Sequence, residues 1–182
     1  MIFAEKTVRL RDGSEAVLRS PRVEDAPALL NYLQVTAAET DFLMRYPEEV
    51  SMTLEAEEQY IRRLLESPND CMIVCEVNGR LAGNCSLGMN GRIKTRHRGT
   101  IGIALISEFW GRGIGTILLG ELIALGEQRG LMQLELQVFQ GNERALALYR
   151  KMGFETVCAL PNAIRLKDGS LRDEYTMVRK LG

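Results

Sequence analysis

Of 182 residues only His97 is a histidine, aromatic residues make up 6%, and neither sign of charge prevails, with 23 Lys and Arg against 24 Asp and Glu. A net charge of −1 leaves no basic excess to neutralise a phosphate backbone or an anionic lipid surface, so nucleic acid and membrane are excluded as first partners. No run of about 18 apolar residues occurs, which argues against a membrane-spanning helix. The start, MIFAEKTVRLRDGSEAV, has no long apolar stretch behind basic residues, so no secretory leader is indicated and the expected location is cytoplasmic. Cys71, Cys75, Cys85 and Cys158 form no CxxC pair; with one histidine, no metal site is expected, and all four read as free, buried thiols. Repeats, Pro/Ser-rich linkers and low-complexity tracts are also missing, which leaves one domain over residues 1–182.

What is present alternates between strand and helix. Val8 to Leu10 and Ala16 to Arg19 flank the turn signal Arg11-Asp12-Gly13-Ser14, and predict an N-terminal hairpin or a kinked edge strand. Helical spacing covers about Val23 to Thr36 and Thr53 to Glu66. Cys71 to Val77 and Leu81 to Met89 read as antiparallel strands around Asn78-Gly79, and a second turn at Asn90-Gly91 leads to a strand from Thr100 to Ile106. Then follow a helix from Gly113 to Arg129, a strand from Gln133 to Phe139 and a helix from Asn142 to Met152. Strands from Phe154 to Ala159 and from Asp173 to Arg179 close the series. The predicted class is α/β (α+β), a mixed, mostly antiparallel sheet of about seven strands with about four helices.

The most informative segment joins the Thr100–Ile106 strand to the helix after it, through Trp110-Gly111-Arg112-Gly113-Ile114-Gly115-Thr116. Glycines there let backbone N–H groups approach an anion at the positive end of a helix dipole. Walker A fails because no Lys-Ser or Lys-Thr follows, and the dinucleotide fingerprint fails because Thr116 stands where its third glycine belongs. Further on, Asn142 to Phe154 forms a helix with an N-cap at Asn142, an apolar stripe through Ala145, Leu148, Tyr149 and Met152, and a stop at Gly153. Read alone, this helix needs no function: Tyr149 is then a core aromatic.

Together the two segments resemble the GNAT superfamily of acetyl-CoA-dependent N-acetyltransferases. The family's Q/R-x-x-G-x-G/A motif is matched by Trp110 to Gly115, with Trp110 in the Gln/Arg place. Its N-x-x-A-x-x-L-Y-x-x-x-G-F helix is matched at Asn142, Ala145, Leu148, Tyr149, Gly153 and Phe154. The resemblance implies that Ala104, Leu105 and Ile106 offer strand N–H and C=O groups to pantetheine. It implies that Gly111, Arg112, Gly113, Ile114, Gly115 and Thr116 wrap the pyrophosphate, that Asn142 lies near the pantetheine arm, and that Tyr149 faces the thioester sulfur. It also implies a homodimer as one assembly.

Amine attack on a thioester needs a donor at the carbonyl oxygen and an acid at sulfur. The resemblance gives these roles to the Leu105 N–H and the Tyr149 hydroxyl. For the base it points to Glu39, with Asp41 and Glu108 as further candidates. The basic stretch Arg92, Lys94, Arg96, His97 and Arg98 reads either as a solvated turn or as a guide for an anionic substrate. The implied activity is acetyl transfer from acetyl-CoA, without a metal, to the primary amine of a small molecule. An amino acid is suggested by the looser likeness of the Lys167-Asp168-Gly169 to Asp173-Glu174-Tyr175 segment to some bacterial members. Two alternatives stay open: acetylation of a protein N-terminus or lysine, and a non-catalytic acyl-CoA-binding sensor.

Overall fold

In the computed structural model, which describes residues 1–182, the two apolar periods resolve into eight strands and four α-helices. The strands are β1 (Lys6–Arg9), β2 (Glu15–Arg19), β3 (Asp70–Val77), β4 (Arg80–Met89), β5 (Arg98–Leu105), β6 (Gln133–Phe139), β7 (Glu155–Arg165) and β8 (Leu171–Lys180). The helices are α1 (Ala26–Glu39), α2 (Leu54–Glu66), α3 (Ile114–Gln128) and α4 (Glu143–Lys151). Eight strands form one sheet, slightly more than the seven or so expected, in the order β1-β2-β3-β4-β5-β6-β8-β7. Every neighbouring pair is antiparallel except β5 and β6.

Alternation along β3 sets the layers, because successive strand side chains point to opposite faces. Cys71, Ile73, Cys75 and Val77 join an apolar cluster with α3 and α4, whereas Val74 joins Leu29 and Tyr32 of α1 and Ile61 of α2. The cleft described below opens on the α1 and α2 face and runs through the sheet toward α4.

Three boundaries differ from the sequence reading. Val23–Asp25 forms a 3-10 turn, so α1 begins at Ala26 with Pro27 in its first turn, where its missing N–H is harmless. Residues 90–97 form a run of turns instead of a tight hairpin, and Arg98 belongs to β5. The strand expected to end at Ala159 continues to Arg165; Pro161 is tolerated because β7 is the sheet edge, and Asn162 at φ 53° marks an irregularity in its pairing. No helix is long and apolar enough to cross a membrane.

Candidate active site

Strands β5 and β6 pair through only three residues, Arg98 with Gln133, Gly99 with Leu134 and Thr100 with Glu135. Beyond Thr100 they diverge, and Ile101 to Leu105 on one side and Gln137 to Phe139 on the other line a cleft of about 1100 Å³. The register with β4 decides which backbone groups enter this gap. Ile106 N–H donates to the Ala82 carbonyl at 2.9 Å, continuing the β4–β5 register. In an antiparallel ladder the hydrogen-bonded pairs alternate, so Ala104 also faces β4, whereas Ile103 and Leu105 turn their N–H and C=O groups into the gap.

This corrects the expectation for the strand end. Of Ala104, Leu105 and Ile106, only Leu105 presents an N–H to the cleft, and Ile103 joins it. The Ala104 carbonyl accepts from the Tyr32 hydroxyl at 2.9 Å, and the Leu105 carbonyl from the Trp110 indole N–H at 2.9 Å. Trp110 in the Gln/Arg place thus ties the turn back onto β5, with the Arg144 guanidinium 4.4 Å from its ring centre.

The glycine turn leaves a continuous row of donors. The first intrahelical bond of α3 runs from Ile117 N–H to the Gly113 carbonyl, and no N–H from Gly111 to Thr116 has an acceptor among backbone or side-chain groups. Gly111 and Gly113 hold φ 81° and 90°, a left-handed conformation that side chains resist. At Gly115 the demand is space: an added Cβ would lie 2.9 Å from the Leu148 Cδ2 of α4. Six unpartnered N–H groups at a helix N-terminus suit a diphosphate. Two cations flank them. Arg112 pairs with Asp12 at 3.5 Å, and Arg11, which the sequence reading treated only as part of a turn, lays its side chain along Gly113 and donates its N–H to the Arg112 carbonyl at 3.0 Å.

Across the gap, Asn142 caps α4 by accepting from Ala145 N–H at 3.2 Å, and its residue lines the cleft. Tyr149 is buried, its ring edge-on to Phe154 at 6.2 Å between centres. Its hydroxyl bonds to no protein group although the residue lines the cleft, and burial pushes its pKa up to about 12. It therefore stays protonated at any neutral pH, able to donate.

The acids sort differently from their sequence order. Glu39 lines the cleft, but its two oxygens accept from the N–H and hydroxyl of Ser107 at 2.8 and 2.7 Å. It ties the end of α1 to the loop after β5 with one hydrogen bond on each oxygen. Asp41 lines a smaller neighbouring pocket with Gln140 and Arg172. Glu108 is gripped by Arg80 through two 2.8 Å hydrogen bonds outside the cleft, and Arg80 holds its carboxyl below the usual range. The basic stretch, with its His97, lies at the opposite end of β5 from the glycine turn, about 23 Å away at strand rise, and none of its members lines the cleft. Arg98 is spent on Glu135. No group of three or more His, Cys, Asp or Glu is placed to hold a metal. Cys71, Cys75 and Cys85 are buried as expected, but Cys158 is exposed, because β7 has no layer over it.

Two side chains that the sequence reading missed complete the cleft. Tyr32 of α1 is buried with its hydroxyl on the Ala104 carbonyl. Glu57 of α2 is buried and lines the cleft without any hydrogen bond or ion pair; burial pushes its carboxyl up, opposed by the charge of Arg45. A signal for Glu57 existed: it stands at i of the i, i+4, i+7 stripe completed by Ile61 and Leu64, the buried face of α2.

A splayed sheet, a glycine-rich helix N-terminus and a tyrosine facing them are the parts of one enzyme class. Residues 36–154 match the model of the acetyltransferase (GNAT) family, and the chain belongs to that family. It is 27% identical over 138 residues to the L-amino acid N-acetyltransferase AaaT of Escherichia coli, covering 73% of this chain and 85% of that one. It is 34% identical over 99 residues to an uncharacterised N-acetyltransferase of Methanocaldococcus jannaschii, covering 53% of this chain but only 44% of that protein. A GNAT-family acetyltransferase from Streptococcus pneumoniae superposes with a TM-score of 0.85 at 27% identity, over 91% of this chain and 99% of its own.

Proposed function

We propose that this cleft transfers the acetyl group of acetyl-CoA to the primary amine of a small molecule, with amino acids as the first acceptors to test. One observation carries the reading. The unpartnered N–H groups of Gly111 and of Gly113 to Thr116, the inward-facing Leu105 N–H and the unbonded Tyr149 hydroxyl belong to residues that line the same cleft. The row holds the diphosphate, and the gap between β5 and β6 takes the pantetheine arm, with Ile103 as its backbone partner and Asn142 beside it. The amine nitrogen attacks the thioester carbon as the free base, the Leu105 N–H donates to the oxygen that gains charge, the nitrogen gives its surplus proton to solvent in the open cleft, and the carbon–sulfur bond breaks with its electron pair leaving on sulfur. Tyr149 donates to the departing sulfur. Because a thiol is a stronger acid than a tyrosine at about 12, it shares its proton with the thiolate and keeps it.

The test is release of the coenzyme A thiol from acetyl-CoA with amino acids, polyamines, aminoglycosides and short peptides, beside a blank without acceptor, with the product identified by mass. Release with a small amine is the expected result. Release with peptides alone, or saturable coenzyme binding with no release from any of them, overturns the proposal in favour of a protein acceptor or a sensor.

A further inference from the structure

Two unpaired charges of opposite sign line the half of the cleft away from the glycine turn. Glu57 is 4% exposed. Its carboxylate has no hydrogen-bond or ion-pair partner, and the residue lines the cleft. A carboxylate buried with no direct partner, opposed only by the charge of Arg45, leaves a place that a cationic ligand would satisfy. Helix capping does not explain it, because Thr53 already caps α2 by accepting from Ala56 N–H at 3.2 Å. Arg45 lines the same cleft and pairs with no acid. The loop that carries it is fixed: Lys167 sets its ammonium 4.2 Å from the Tyr46 ring centre, donates its N–H to the Tyr46 hydroxyl at 3.0 Å and pairs with Glu48. The other titratable group set against Glu57 is Tyr60, whose hydroxyl stays neutral because burial and the Glu57 charge both push it up. Leu29, Leu33 and Met72 supply an apolar wall between them.

We infer that this half of the cleft is built for a zwitterion: Glu57 receives the ammonium of a free α-amino acid, Arg45 its carboxylate, and the apolar wall an uncharged side chain. The inference rests on the acetyl-transfer reading and narrows its acceptor from amines in general to free amino acids. Amines lacking the carboxylate give Arg45 nothing to hold, and the carboxylate of a peptide lies too far from its amine to reach it.

The experiment is calorimetric titration of L-methionine, L-phenylalanine, their primary amides and phenethylamine into the protein saturated with coenzyme A. It is run at about pH 6.5, where the α-amino groups stay largely protonated. Wild type binds at least one of the two amino acids, and binds its amide roughly 10- to 100-fold more weakly, the span of one charge-assisted hydrogen bond. Glu57→Gln weakens every ligand by a similar factor while its melting temperature holds or rises, since a buried charge has been removed. Arg45→Gln brings the amino acid down to the level of its amide and leaves the amide unchanged. Equal affinity for acid and amide, unaltered binding by Glu57→Gln, or no binding of either amino acid overturns the inference. Binding that depends on both residues without thiol release leaves this site standing and removes the transfer reading. Thiol release that ignores the carboxylate does the reverse.

Discussion

Replacing Gly113 with alanine tests whether the turn before α3 is an anion cradle or only a tight connection. Gly113 sits at φ 90°, where an L side chain costs about 1–2 kcal/mol. The added Cβ lies 3.1 Å from Cγ, 3.2 Å from Nε and 3.3 Å from Cδ of Arg11, a flexible chain that gives way and leaves its place beside the donors. The variant has two ways to respond. If it keeps the left-handed backbone, the strain appears as stability, a fall in melting temperature of about 2–8 °C for a chain of this size. If it rotates to negative φ, the peptide planes on either side swing and the N–H groups leave the row. Every charge-assisted hydrogen bond to the diphosphate that this breaks costs about 1.5–3 kcal/mol, or roughly 10- to 100-fold in affinity for coenzyme A.

Calorimetric titration of coenzyme A and thermal melting of the free protein together distinguish the two. Gly120→Ala is the control: it lies within α3 with no atom within 4 Å of an added Cβ, so helix propensity stabilises it by about 0.8–1 kcal/mol and coenzyme affinity stays put. A Gly113→Ala protein that melts with wild type and binds coenzyme A as tightly refutes the argument for the turn.

The buried Arg19 of β2 holds Asp25 through hydrogen bonds of 2.6 and 2.9 Å and Glu76 at 3.1 Å. Burial pushes the Asp25 carboxyl up, but the Arg19 guanidinium and the Arg22 N–H pull it further down, below its ordinary 3.8. A depressed carboxyl stabilises the fold above its unfolded value and loses that contribution as pH falls through the folded one. Urea denaturation is therefore expected to show Asp25→Asn less stable than wild type at about pH 7, with the gap narrowing below 3.8; a gap constant with pH contradicts this. Iodoacetamide is expected to add once to the native chain, at the exposed Cys158, and at all four cysteines after unfolding. Burial raises the thiols of Cys71, Cys75 and Cys85, that of Cys75 to about 12. Native-state labelling of any of those three, read by peptide mass, refutes the packing described for β3 and β4.

The parts of the site that are local in the chain were legible in the sequence. The glycine turn is one strand–turn–helix unit, and the Asn142 to Phe154 helix carries its own cap, stripe and stop. What escaped depends on the pleat or on residues far apart in the chain. Whether Ala104 or Leu105 faces the gap is decided by a one-residue phase in pairing with β4, which the run Ile101 to Ile106 does not encode by itself. Arg11 reaches the turn from the N-terminal hairpin, and Glu39 meets Ser107 only once α1 is docked on the sheet. Glu57 was readable from its stripe with Ile61 and Leu64, but it sits among Glu55 and Glu58, where an acidic residue passes for a solvated face. Cys158 misled for the opposite reason: an apolar stretch on an edge strand looks buried until the missing layer over β7 is seen.

Tyr149 and the Leu105 N–H are proposed to act together on a thioester laid between β5 and β6. Steady-state thiol release from acetyl-CoA, comparing wild type with Tyr149→Phe on the best small-amine acceptor and paired with coenzyme A titration of both, tests it most directly. The expected result is a fall in kcat of roughly 10- to 100-fold, the worth of one hydrogen bond to a departing thiolate, with coenzyme affinity within about twofold. Equal turnover by Tyr149→Phe would return Tyr149 to a packing role beside Phe154 and contradict the account.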